Sequence, residues 1–140
     1  MNQWNWIFLS VLSLTLTTPA FAMSPKKYAK NMAREHKKDK PVAAASTFVK
    51  PRVAVSGKTV VYGNIGKKKL KGYLARQKKA KGNLPAILVI HEWWGLNNNI
   101  KAMTRRLAGE GYLALAVDLY EGKNAQKPKH AYKLMMKAFK

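Results

Sequence analysis

Chemistry-bearing residues are few in this chain, and one run gathers several of them. His91-Glu92-Trp93-Trp94-Gly95-Leu96 sets an imidazole, a carboxylate and two indoles side by side. It follows directly on Ala86-Ile87-Leu88-Val89-Ile90, five apolar residues without alternation, the pattern of a strand buried on both faces of a parallel sheet. The C-terminal ends of parallel strands are where α/β folds place ligand sites. A carboxylate and two tryptophans are costly there without a purpose. Position alone leaves a plainer reading open, with Trp93 and Trp94 covering the sheet edge and Glu92 solvated in its loop. Other chemistry is excluded. The 140 residues contain no cysteine, which removes disulfides, thiolate zinc sites, iron–sulfur centres and a thiol nucleophile. The three histidines, at 36, 91 and 130, are too widely spaced for a histidine metal site. No metal and no cofactor is expected.

The elements that must position this run begin near Thr59. Thr59-Val60-Val61-Tyr62-Gly63 and Lys69-Leu70-Lys71-Gly72-Tyr73-Leu74-Ala75 read as a hairpin turning around Gly66, with lysines on its wet face. After the 86–90 strand, Asn97-Asn98-Asn99 offers N-caps for a helix reaching about Ala108, with Ile100, Met103 and Leu107 on one stripe. Gly109 and Gly111 end it. Tyr112 to Val117 is a second apolar strand, closing at Asp118, and strand–helix–strand makes a βαβ unit with both strands parallel in one sheet. Pro128 to Lys140 reads as a further helix, with Ala131, Leu134, Met135 and Phe139 on one side.

The run Pro85 to Asn97, with Arg105-Arg106-Leu107-Ala108, Glu110-Gly111-Tyr112 and Ala116-Val117-Asp118-Leu119-Tyr120, closely resembles the dienelactone hydrolase family. Gly72-Tyr73-Leu74-Ala75-Arg76 resembles that family's second strand, and the likeness covers about Thr59 to Lys140. The resemblance implies an α/β class with an incomplete α/β-hydrolase sheet: an N-terminal hairpin, one βαβ unit and a further helix. It also implies a hydrolase of carboxylic esters or lactones whose nucleophile is cysteine or sometimes serine. Carried over by position, Glu92 matches the loop glutamate that contacts the nucleophile in the resting enzyme. Trp93 matches the residue whose backbone N–H forms half of the oxyanion hole, a donor worth ~3 kcal/mol when aimed at the developing charge. By the same match His91 pins the loop and Asp118 is structural, because the triad acid follows the nucleophile in this fold. The family's substrate-carboxylate arginine falls at Pro128. Lys127 or Lys129 can replace its charge but not its bidentate geometry. The nucleophile elbow is missing, since no cysteine exists and none of the serines at 10, 13, 24, 46 and 56 lies in G-x-S-x-G. The chain is therefore expected to supply the N-terminal portion of the enzyme, and to be inactive alone.

Ahead of this lies an export signal. Ile7 to Thr18 is an apolar core too short to span a bilayer as a lone helix, and Ala20-Phe21-Ala22 supplies a small–x–small cleavage pattern. Residues 1–22 are read as the signal, 23–58 as a basic, largely unstructured linker, and 59–140 as the hydrolase-like part. The product is expected in a bacterial periplasm or secreted, without a membrane span after cleavage. Lys and Arg total 27 against six acids, a net +21 with a pI near 10.4. That charge sustains a different class of function, an exported polyanion-binding protein. No recognisable nucleic-acid module accompanies the lysines. The charge is read as a solvated surface able to adhere non-specifically to anionic envelope polymers, and the partner expected at the site is a small ester or lactone. An inactive truncated product is the third reading.

Overall fold

A computed structural model describes residues 24–138, so the expected export signal and Phe139 lie outside the described residues. In chain order these form α1 (Pro25–Glu35), a 3-10 turn (Ala45–Phe48), β1 (Val55–Ile65), β2 (Lys68–Gln77), β3 (Ala86–Ile90), α2 (Asn98–Gly109), β4 (Leu113–Val117) and α3 (Pro128–Ala138). The four strands make one mixed sheet in the order β1-β2-β4-β3.

The hairpin reverses at Gly66, whose φ of +56° is left-handed and suits a residue without a Cβ. Its register shifts by a bulge between Val61 and Gly63. The second pairing is antiparallel, from Gly72 opposite Val117 to Ala75 opposite Ala114. β3 lies parallel to β4, with Ala86 opposite Leu113 and Ile90 opposite Val117, as the βαβ pattern requires.

This register sorts the side chains. Ala114 and Ala116 are fully buried and share one face with Ile87, Val89, Tyr73 and Ala75. Their small size lets α2 lie close, bringing Ala108, Ile100 and Leu107 onto the sheet. Burying a side chain such as Ile100 contributes roughly 1.5–3 kcal/mol. Asn97 caps α2, its Oδ1 accepting from the Ile100 N–H at 3.2 Å. Thr104, fully buried on this helix, returns its hydroxyl to the Ile100 carbonyl at 2.7 Å.

Two expectations are corrected. β3 is not buried on both faces: Leu88 is 68% and Ile90 71% exposed, because α2 covers one side of the sheet and no described element covers the other at this strand. Its outer edge also has no strand partner among the described residues. The 23–58 stretch is not largely unstructured either, and β1 already begins at Val55. Ser24 caps α1 with Pro25 at its start, and Ala29 is fully buried against Ala131, Leu134 and Met135 of α3, forming a second small core with Trp94, Tyr120 and Ala125.

An unpaired apolar edge is a template for strand addition. The chain is expected to self-associate, and Leu88→Lys with Ile90→Glu to reduce this in light scattering while moving stability by no more than about 0.5 kcal/mol. Unchanged scattering would rule out this edge as the cause.

Candidate functional site

The site is the turn leaving β3. His91 is buried, and both ring nitrogens are engaged. Its Nδ1 lies 2.7 Å from the Glu92 carbonyl, and its Nε2 lies 3.1 Å from the Leu119 N–H. A carbonyl can only accept and an amide N–H can only donate, so the proton sits on Nδ1 and Nε2 is the acceptor. The ring also packs edge-on against Tyr120, with centroids 4.7 Å apart. His91 thereby ties the end of β3 to the loop after β4. It pins the loop, and with both nitrogens occupied it has no base to offer.

Glu92 to Gly95 closes as a tight turn, with Gly95 N–H donating to the Glu92 carbonyl at 3.1 Å. The N–H groups of the two central residues, Trp93 and Trp94, carry no hydrogen bond to any described residue. Such a turn leaves them unused by construction. Trp94 is buried, and its carbonyl accepts from the Ala125 N–H at 2.9 Å. Trp93 is half-buried, tilted on Trp94 at 5.0 Å and met edge-on by His36 at 5.6 Å. His36 ends α1 and is itself held by Asp39 at 2.6 Å, so the stretch whose sequence reads as a linker reaches the site.

Within the motif the sequence assigns Gly95 no role of its own, yet the turn depends on it. Its φ is +93°, and a Cβ there would meet the Lys123 carbonyl oxygen at 2.6 Å and Asn124 Oδ1 at 2.8 Å. A lone glycine after two tryptophans was the available signal. Asp118 behaves as the sequence indicated: its Oδ1 accepts from Tyr120 N–H at 3.0 Å and its Oδ2 from Gly122 N–H at 2.6 Å, shaping the loop. Lys127 and Lys129 flank Pro128 at the start of α3, beside α1 residues Ala33 and the following Lys37.

The acids divide unevenly. Glu35 meets Arg34, Asp39 meets His36, Glu110 meets Arg52, Asp118 accepts two backbone N–H groups, and Glu121 is gripped by both Lys68 and Lys137. Glu92 alone is exposed with no partner among the described residues, in a chain carrying 27 basic side chains. The hydrogen bonds from Lys137 and Lys68 hold the Glu121 carboxyl down at about 2, from its ordinary 4.5. Burial raises the Tyr120 phenol. Among the described residues no cluster could hold a metal ion, and no helix is long and apolar enough to cross a membrane.

Fold and site together define a parallel βαβ unit with a rigid, donor-bearing turn at its strand end, the class of arrangement found in α/β hydrolases. The dienelactone hydrolase family matches over residues 70–140. The chain is 47% identical over 74 residues to the Aquifex aeolicus protein named "Putative carboxymethylenebutenolidase", covering 51% of this chain and 31% of that one. It is 39% identical over 82 residues to the Escherichia coli "Putative hydrolase fragment YghX", covering 56% of this chain and 69% of that one. The solved structure named "m3DLH" is similar with a TM-score of 0.54 and 31% identity, over 61% of this chain and 36% of that one. This chain belongs to the dienelactone hydrolase family. Its match spans only about a third of the Aquifex relative.

Two variants probe this architecture. Gly95→Ala is expected to cost about 1–3 kcal/mol from its backbone conformation alone, and more from the clash. That is a fall in Tm of roughly 10 °C, with the near-ultraviolet tryptophan signal altered. A Tm within about a degree of the parent would refute the role of the glycine. Glu121, with a folded pKa near 2, stabilises the fold when ionised, so its contribution is present above pH 4.5 and lost as pH falls towards 2. The stability gap between the parent and Glu121→Gln should therefore close across that window in melts at stepped pH.

Proposed function

We propose that this chain is the N-terminal portion of an exported carboxylic ester or lactone hydrolase of the dienelactone hydrolase type. Its 92–95 turn forms one wall of the active site. The observation that carries this is the Trp93 N–H at the end of β3, unbonded among the described residues, beside the one acid with no partner among them. Acyl transfer places negative charge on the carbonyl oxygen. A donor held by a rigid turn and not spent on the protein's own carbonyls can meet that charge without reorganisation. In this reading Glu92 lies against the nucleophile and controls its activation, and the nucleophile, its acid and its histidine come from sequence beyond the matched third. The names of the Aquifex and Escherichia relatives, a carboxymethylenebutenolidase and a hydrolase fragment, support the reaction class. The Ile7–Thr18 core and Ala20-Phe21-Ala22 support export to a periplasm or beyond, with a mature start at Met23.

The test joins this chain to the part of the Aquifex relative that follows the matched segment. The 140-residue chain alone should hydrolyse activated esters no faster than its Glu92→Ala variant. The chimera should turn over, and Trp93→Pro, which removes the N–H, should lower kcat by about 10²–10³. Glu92→Ala should lower turnover in the chimera as well. Saturable, Glu92-dependent hydrolysis by the chain alone, or a chimera indifferent to Trp93→Pro, overturns the proposal. Mass spectrometry of protein from its host checks the Met23 start.

A further inference from the structure

The segment joining α1 to β1 turns its apolar residues outward. Val42 is 78% exposed, Phe48 76%, Val49 54% and Val53 46%. The backbone beneath them is held. Thr47 closes the 3-10 turn, its hydroxyl and its N–H both donating to the Ala44 carbonyl. Arg106 reaches from α2 to the Ser46 carbonyl at 2.9 Å. Pro51 packs on Gly109 so closely that a Cβ there would meet the proline Cβ at 2.9 Å. Polar and proline contacts thus fasten the segment to α2 and leave Phe48 and Val49 presented to solvent. Contiguous exposed apolar residues on an anchored segment mark an interaction surface.

The charge around them selects the partner. Lys37, Lys38, Lys40 and Lys50 are exposed in or beside the segment, Arg52 is exposed and paired with Glu110, and the segment's one acid, Asp39, is taken by His36. Lys78 and Arg105 line the open cleft of about 670 Å³ next to it. Apolar tips ringed by lysine and arginine match the headgroup–acyl boundary of an anionic bilayer, where each basic group near the surface adds attraction and each buried methylene adds more. A hydrated polyanion offers nothing to three valines, and a single phenylalanine is a poor stacking platform for nucleic acid.

We propose that this face docks onto an anionic phospholipid bilayer, Phe48 and Val49 entering between headgroups while the surrounding basic residues meet lipid phosphates. The inference uses no residue of the 91–97 turn and does not depend on the hydrolase reading.

The absence of cysteine makes the test clean, because a single introduced thiol can be labelled alone. An environment-sensitive nitrobenzoxadiazole probe is placed on the full chain at Val49→Cys. A second is placed at Lys67→Cys in the hairpin turn, which β1 carries about 30 Å away. With vesicles of phosphatidylglycerol and phosphatidylcholine, the probe at 49 should brighten several-fold and shift to the blue. The probe at 67 should not, and neither should respond to phosphatidylcholine alone. Phe48→Ser keeps the charge and should melt with the parent, yet bind about tenfold more weakly. Lys50→Glu with Arg52→Glu should weaken binding further and flatten its salt dependence. The Ile7–Thr18 core is common to all variants, so differences between probe positions report this face. Equal responses at 49 and 67, undiminished binding by Phe48→Ser, no binding to the anionic vesicles, or an equal Phe48 dependence for soluble heparin would each overturn the proposal.

Discussion

The His91 imidazole is the contact on which the strand-end architecture rests. β3 and β4 are parallel neighbours, so their C-terminal ends emerge side by side, each with backbone groups that the ladder no longer pairs. One neutral ring serves both, donating to the Glu92 carbonyl and accepting from the Leu119 N–H. The two loops are then coupled further by the Trp94 carbonyl with the Ala125 N–H, and by the approach of Gly95 to Lys123. Removing the ring would take the acceptor from the Leu119 N–H and leave the Glu92 carbonyl with the Gly95 N–H alone, uncoupling the two loops at this point. A histidine in this position is therefore spent on architecture, which explains how a residue so placed can lie beside a candidate oxyanion donor and take no part in proton transfer.

That architecture stands on a sheet covered mainly on one side. Ala114 and Ala116 face α2 and allow it close, while Leu88 and Ile90 on the opposite face meet no helix among the described residues. The remaining helices pack elsewhere: α1 and α3 enclose the second small core around Trp94 and Tyr120. The consequence is a division of labour. The α2 face supplies the sheet with its stability, and the α1–α3 layer buttresses the turn, with His36 and Met32 against the tryptophan side.

What could be read before the structure follows from where local chemistry decides. The 86–90 strand, the Asn97 cap and the Gly66 reversal all appear as expected, because an apolar run, a capping amide and a glycine each act within a few residues. The parallel pairing followed from connectivity. The exposure of Leu88 and Ile90 was not legible, because an apolar strand carries no record of whether a neighbour arrives. The packing of α1 was missed because its apolar stripe is only Ala29, Met32 and Ala33 among lysines. The alanine matters through its smallness against Ala131, not through hydrophobicity. The Ser24-Pro25 start was the signal that could have shown this helix. Within the site, Glu92 and Trp93 came from resemblance, whereas the dependence of their turn on Gly95 needed the position of the 123–124 backbone.

The paired and unpaired acids give the site its distinction without reference to any relative. With basic groups outnumbering acids by 27 to six, attraction should draw every carboxylate into a pair, and five of the six have found a base or backbone donors. Exposed pairs of this kind contribute little to stability, ~0–1 kcal/mol, so forming one costs the fold nothing that would keep Glu92 out. Its isolation follows from location. The neighbours of Glu92 in sequence are an imidazole already committed and two indoles, and the hairpin's Lys68 is taken by Glu121. Among the described residues, the turn that leaves this carboxylate unpaired also leaves two N–H groups without an acceptor. Asp118 shows that a carboxylate can turn back onto the N–H two residues on, and among the described residues Glu92 does not do so with Trp94. In the proposed reading two different groups meet the carboxylate and the N–H groups: the nucleophile brings the proton that the carboxylate can accept, and the carbonyl it attacks brings the negative oxygen that the N–H groups can hold.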